Sequence, residues 1–423
     1  MSTDKEPISP KLRFPEFDDD WKEIRFSTFL KPELREVPKP TESYLAIGVR
    51  SHGRGTFQKP DADPKAIAMD SLYRVHQNDL IVNITFAWEG AIALVSAEDH
   101  GGLVSHRFPT YRFDETTVTH EFFRYIIENK RFRWKLELIS PGGAGRNRVL
   151  SKQEFLKLEH RFPKLSEQKK VSTFLGAVDV KLRQLGRKRG LLAAYKRGVM
   201  QHLFSQRIRF KREDGSKYPD WEEKKFSGVF SWVRTNNLSR QHLSNSNGTI
   251  QNIHYGDIHS KFKANFRQSK EDVPFITSTA PINGFSDEEF CRLGDVVIAD
   301  ASEDYADIGK AIEIVEVRDR SLVAGLHTHV ARPKPGELAV GFSGYLLRSA
   351  SVRKQIVRMA QGISVLGISK ANLERLNFHL PHPDEQRKIA DFLAALDRRI
   401  DGIDDQITQI GKFREGLLQQ MFV

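Results

Sequence analysis

The sequence predicts a mixed α/β (α+β) protein with a pseudo-twofold internal repeat, in which two domains are separated by two long helices that pair with each other. Three observations carry that prediction. Residues 166–204 return without a gap as residues 384–422, and Glu167, Gln168, Lys170, Phe174, Leu175, Ala177, Asp179, Gly198, Gln201 and Phe204 each meet the same residue 218 positions later. Both copies are apolar at alternating spacings of four and three, which is the pattern of a seam between helices. Each half of the chain also opens alike, residues 12–30 with Trp21 and Phe26 and residues 210–230 with Trp221 and Phe226.

In the first copy the seam runs through Val171, Leu175, Val178, Leu182, Leu185, Leu192, Val199 and Leu203, interrupted at Arg189 and Lys196. In the second it runs through Ile389, Leu393, Leu396, Ile400, Ile403, Ile407, Ile410, Leu417 and Met421, interrupted at Arg414. A helix of this length reaches roughly 58 Å at about 1.5 Å per residue. Its narrow stripe suits a partner helix better than a broad core, and the other copy is that partner. Gly186, Gly190, Gly198, Gly402, Gly411 and Gly416 each cost about 1 kcal/mol relative to Ala and predict local bends. Between Asp179 and Glu213 lie eleven basic residues and no acidic one, whereas the second copy carries Asp401, Asp404, Asp405 and Glu415. Antiparallel pairing would bring residues 183–189 toward residues 401–405.

A chain of 423 residues, 39% hydrophobic and 29% charged, exceeds what one core serves and predicts two globular units. No apolar run approaches the eighteen or so residues of a membrane helix, and the opening MSTDKEPISP does not read as a signal peptide. The single cysteine, Cys291, excludes an internal disulfide or a Cys-cluster zinc site and fits a reducing cytoplasm. A net charge of +11 favours a polyanionic partner.

Residues 1–12 read as a flexible tail. The two middles, about 31–160 and 231–380, share an order of elements but little sequence. In the first, YLAIGV, DLIVNITFAW, AIALVSA and PTYRF read as strands and HEFFRYIIENKRFRWKLEL as a helix. In the second, DVVIADA and AIEIVEV are the strands and FSGYLLRSASVRKQIVRMAQG the helix. Both middles close alike, with Ser151 and Lys152 matching Ser369 and Lys370 before a proline-bearing entry to the long helix.

Two variable middles, each followed by FP or LP, an EQ(K/R)K(V/I)xxFL run and a long helix, resemble the specificity subunit of a Type I restriction-modification system over essentially the whole chain. The resemblance implies two target-recognition domains, at 13–165 and 209–383, separated by two conserved helices, at 166–208 and 384–423, that pack as an antiparallel coiled coil. It implies that the chain is not an enzyme and binds no cofactor itself. Its implied partners are double-stranded DNA and two modification subunits that use S-adenosylmethionine to methylate adenine N6, with restriction subunits joining to cleave. Two unlike readers on a spacer specify a split, asymmetric DNA target, and the helix length would set its unread gap.

The residues themselves agree with a non-catalytic role. The Asn/Asp-Pro-Pro-aromatic signature of adenine methyltransferases and a Walker A motif are both missing, and GRGTF and PGGAG do not sit between a strand and a helix. Asp295, Asp300, Glu303, Asp304 and Asp307 imitate a nuclease cluster but suit a solvated, base-selecting loop better, and the fourteen histidines, His327 and His329 included, form no metal pattern. The competing readings are a diverged stand-alone DNA methyltransferase or nuclease, and a coiled-coil adaptor with no DNA role.

Loops supply the candidate DNA contacts. In PGGAGRNR, Arg146, Asn147 and Arg148 have the right chemistry, since Arg forks onto guanine and Asn pairs with adenine. RSHGRG offers Arg50, His52 and Arg54, and the loop after DLIVN offers Asn83, Thr85 and Trp88. In the second middle the candidates are His254, Tyr255 and Lys261, then Ser302 and Tyr305, and finally Gln361 and Ser364 opposite the PGGAGRNR loop. His106 and His329 are read as equivalent positions facing DNA, because Gly102 and Gly325 align beside them.

Overall fold

The computed structural model describes residues 9–142, 148–246, 248–282 and 284–422. The chain divides into two compact units, Met1–Gly186 with Gln406–Val423, and Arg187–Asp405. Each unit therefore holds one variable middle, the opening half of the long helix that follows it, and the closing half of the other long helix.

In the first unit, strands Leu30–Pro32, Thr110–Phe113, Leu80–Val82 and Ile92–Leu94 form one sheet in that spatial order. A second sheet runs Glu36–Pro38, Ser71–Arg74, Leu103–Val104, Tyr44–Val49, Thr56–Ala62. The run DLIVNITFAW is a strand only over Leu80–Val82. Beyond it the chain turns, because the Asn83 side-chain oxygen accepts from the Thr85 amide at 3.1 Å and a 3-10 turn follows at Ala87–Glu89. The expected single helix is two, His120–Ile127 and Lys130–Leu138, because Asn129 caps the second by accepting from the Arg131 amide.

The second unit repeats the plan with its own sheet, Phe230–Val233, Thr328–Pro333, Val296–Ala299, Ala311–Glu316 and Asn265–Arg267. Register fixes the equivalences. Tyr111 lies between Pro32 and Leu80, as Ala331 lies between Trp232 and Val296. Leu80 faces Leu94, as Val296 faces Glu313. A narrow ribbon pairs Ala301–Ser302 with Leu366–Gly367.

The long helices run unbroken over Leu165–Phe204 and Pro383–Gln420, through all six glycines. Every seam position is buried or half-buried. The opening halves do more than face a partner helix: Val171 and Leu175 belong to the core of the first unit, and Ile389, Leu393 and Leu396 to that of the second. Within the second unit Arg189 meets Asp404 at 2.8 Å and Lys196 meets Asp397, so one helix ascends as the other descends. That is the antiparallel pairing, with the basic stretch against the acidic one at Arg189.

The repeated Glu-Gln pair locks each helix to its domain. Glu167 accepts from Arg13 at 2.7 Å and from the Trp21 indole at 3.4 Å; Glu385 accepts from Arg209 at 2.8 Å and the Trp221 indole at 3.3 Å. Gln168 accepts from the Thr119 amide and donates to the Thr117 and Pro163 carbonyls, each at 3.0 Å. Gln386 does the same with the Ala339 amide and the Glu337 and Pro381 carbonyls. The closing halves complete the pattern, since Phe422 stands edge-on to Trp21 as Phe204 does to Trp221. Ser9–Leu12, assigned to the tail, include an anchored residue: the Leu12 amide donates to the Gln420 carbonyl at 2.9 Å.

Candidate nucleic-acid interface

In the first unit four loops converge. The His52 and Gly53 amides donate to the Glu89 and Gly90 carbonyls, both at 2.8 Å, which ties the RSHGRG loop to the 3-10 turn. The Ile84 amide donates to Arg107, and Leu150 donates back to Ile84, so the turn carrying His106 and the segment carrying Arg148 flank the same loop. Backbone shape is set locally: His52, Gly53 and Gly90 all have positive φ, and a Cβ on Gly53 would come within 3.2 Å of the Ile127 carbonyl oxygen.

The side chains divide into those that build this face and those that stand on it. Trp88 donates its indole N–H to the Thr85 carbonyl at 3.2 Å and is covered by the Arg148 guanidinium, 5.4 Å from its ring, so Asn83, Thr85 and Trp88 are half-buried parts of the loop framework. Arg148 is further held by Glu137 at 3.0 Å. Arg50, His52, Arg54 and His106 are exposed. Arg50 donates to the Thr56 carbonyl and lies over Phe57, while Arg54 has no acidic neighbour among the described residues. Arg146 and Asn147 lie outside the described residues. Sequence reading missed Arg133, whose guanidinium approaches the His52 imidazole at 3.5 Å from a helix; its partner is distant in sequence, so no local pattern marks it.

In the second unit the candidates gather around Asp300. Its carboxylate lies 3.2 Å from His327 Nδ1 and 3.7 Å from His329 Nε2. Tyr255 packs against His254, His259 and His327, and His259 reaches the Ala301 carbonyl at 2.9 Å. His254 is 8% exposed and caps helix Tyr255–Ser260 by accepting from the Gly256 amide, and burial pushes its pKa down. Ser302 is equally buried and spends its hydroxyl on Asp304, donating to the carbonyl and accepting from the amide, both at 3.0 Å. These two shape loops rather than present polar groups. Tyr305, Lys261, Gln361 and Ser364 are exposed, Lys261 with Asp257 3.2 Å away. His327 and His259 were not chosen from sequence as DNA contacts, whereas Asp300 was read as part of a base-selecting acidic loop.

His106 and His329 are not equivalent. The sheet register matches Thr110 to Val330, which places His106 in the turn before its strand, whereas His329 lies inside strand Thr328–Pro333 opposite Ile298. Its Nε2 reaches the Ile368 carbonyl at 3.2 Å, and burial lowers its pKa. The alignment of Gly102 with Gly325 misled: one precedes its strand and the other follows it.

The acidic residues proposed to imitate a nuclease do not converge. Asp295 is fully buried against Arg332, and Asp307 pairs with Lys310. Among the described residues the grouping of metal-capable side chains is elsewhere, where His120 Nδ1 lies 2.7 Å from Glu115 and 3.3 Å from Glu121 on the surface.

Two unlike sets of exposed polar side chains therefore stand on one repeated framework. Residues 214–411 match the family described as the Type I restriction modification DNA specificity domain. The chain is 23% identical over 422 residues to the Type I restriction enzyme MjaVIII specificity subunit of Methanocaldococcus jannaschii, covering 96% of this chain and 92% of the relative. Its fold is similar to the S subunit of the Type-I restriction-modification system of M. genitalium, with a TM-score of 0.58 at 15% identity over 98% of this chain and 99% of that one. A chain from a structure of complex assembly and conformational transition in the type I system gives 0.54 at 15% identity over 95% and 97%. Nearly the whole chain is thus similar to Type I restriction-modification specificity subunits, and residues 214–411 carry the DNA specificity domain of that family.

Proposed function

We propose that this chain is the DNA-reading, non-catalytic subunit of a Type I restriction-modification complex, and that each unit reads one half of a split, asymmetric target. It carries two modification subunits, which bring S-adenosylmethionine and methylate one adenine in each half-site; restriction subunits join that assembly. The work is cytoplasmic, and no helix among the described residues is long and apolar enough to cross a membrane.

The observation that carries the reading is the contrast between framework and loops. The Glu-Gln lock repeats bond for bond, whereas the exposed side chains are Arg50, His52 and Arg54 in one unit and Tyr305, Gln361 and Ser364 in the other. Arginine forks onto guanine and glutamine onto adenine, so the two faces select different bases. The test is an exchange of residues 31–160 for those of a relative, followed by sequencing for methylated adenine in cells. One half-site changes and the other stays; replacement of both halves, or of neither, rejects the assignment.

A further inference from the structure

The hairpin spanning 361–367 carries an aliphatic side chain with no protein contact to explain it. Gln361 and Gly367 close it with reciprocal backbone hydrogen bonds of 3.0 and 2.7 Å, and Gly367 pairs on its other side with Ala301, next to the Asp300 group. The turn is fixed by Gly362, whose φ is 130° and where a Cβ would lie 2.0 Å from the Val365 carbonyl oxygen. At its tip Ile363 is 103% exposed and Val365 58%, with the exposed Gln361 and Ser364 beside them.

The charge around the hairpin indicates what covers it. From Leu338 to Leu373 the chain has no Asp or Glu and five basic residues, Arg348, Arg353, Lys354, Arg358 and Lys370. Arg353 is spent on the carbonyls of the loop carrying Tyr305, and Arg348 on that of Ala311. Lys354 and Arg358 lie one turn apart on helix Ala350–Met359, are exposed, and are given no acidic partner among the described residues. A narrow ribbon that follows a helix with two exposed cations, Lys354 and Arg358, suits the DNA major groove, which is wide enough for two strands. An aliphatic side chain there has one kind of base edge to recognise. Of the groups that base pairs display in the major groove, the thymine C5-methyl is the one apolar group larger than a C–H.

We propose that Ile363 contacts the C5-methyl group of a thymine in the half-site read by the second unit, so that this hairpin requires thymine at one position. The inference rests on the reading that the chain binds DNA. The test uses the complex assembled with its modification subunits and a target found by methylated-adenine sequencing. Each thymine of that half-site is replaced in turn by deoxyuridine, which removes only the methyl group. One replacement weakens binding by the wild-type complex about fourfold, the effect of losing one buried methyl contact. Ile363→Ala weakens binding to the thymine duplex by a similar factor and is indifferent to that replacement, while Leu293→Ala, at another exposed aliphatic position, behaves as wild type. The inference is overturned if the half-site has no thymine, if no replacement affects the wild type, or if Ile363→Ala remains as sensitive as the wild type. Failure of the wild-type complex to prefer any sequence is a different result and rejects the DNA-reading role itself.

Discussion

The two units hold the same framework with different chemistry in their cores, and the difference separates what the repeat must keep from what it is free to change. The Glu-Gln lock, the Trp–Phe contact and a phenol on the seam aspartate occur in both, as Tyr125 with Asp179 and Tyr345 with Asp397. Beneath the loops the units diverge. Glu313 of the second unit stands where the first has Leu94, and His160 of the first, on strand Glu159–Phe162, stands where the second has Phe378. A framework that tolerates a buried carboxyl in one copy and a buried imidazole in the other is held by its shared lock rather than by these positions.

Those two buried groups give the largest expected contrast, with opposite signs. Burial holds the Glu313 carboxyl neutral up to about 8, outweighing the amide N–H groups of Gly341 and Gly344 that favour its ionised form. Against an unfolded value of about 4.3, the folded protein binds the extra proton in between, so stability from this group is present at low pH and lost as pH rises from about 4.5 to 8. Burial pushes the His160 imidazole down to about 3. Against about 6.5 unfolded, the folded protein binds fewer protons, so stability is lost as pH falls from about 6.5 toward 3. Each span is worth about 5 kcal/mol at full effect. Glu313→Gln should flatten the alkaline fall in Tm, and His160→Phe, which installs the second unit's residue, the acid fall. A variant whose Tm–pH curve runs parallel to that of the wild type would remove its residue from this account.

The lock should show the opposite, two equal effects. Gln168→Ala and Gln386→Ala each strand one buried backbone amide and two carbonyls, a loss of about 3 kcal/mol apiece. Denaturant unfolding of the two variants should agree to within about 1 kcal/mol. A large loss from one and none from the other would show that the repeat in sequence is not a repeat in energy.

Much of this framework was legible because it is local and duplicated. The helices and the Trp entry motifs follow from spacing within one copy and identity between copies, and the antiparallel order from the family resemblance. The function of the Glu-Gln pair was not legible, since its partners Arg13, Thr119 and Ala339 lie tens to more than a hundred residues away in unremarkable loops. The DNA face was legible only as loops. Sequence marked Arg50 and Gln361 by their chemistry, but it could not distinguish exposed Tyr305 from Ser302, whose hydroxyl is consumed by a turn, nor show that Ile363 is left bare. Equivalence by alignment failed at His106 and His329 because the connecting loops differ in length, and only strand register could align them.

The smallest effect concerns the residues that break the seam. Arg414 and Lys196 occupy the same position of the two helix copies, and each points its charge at the aspartate of the facing helix, Arg414 at Asp179 and Lys196 at Asp397. Arg414 also forks onto Glu128, with both contacts at 2.9 Å, a second carboxylate that Lys196 lacks. Removing the arginine therefore strands Glu128 and leaves Asp179, whose side chain is only 8% exposed, with the Tyr125 hydroxyl and Arg124 at 3.5 Å, whereas removing the lysine leaves Asp397, 32% exposed, with the Tyr345 hydroxyl. Arg414→Leu should cost about 2 kcal/mol and Lys196→Leu about 1 kcal/mol, both discounted for partial solvent access. Lys196→Leu restores a continuous apolar seam, so its sign decides between two accounts of why the seam is broken. A loss measured by thermal unfolding makes the cation a stabilising contact. A gain, with the sequence preference of the assembled complex broadened, makes it a device that fixes the register of the helix pair at a cost in stability.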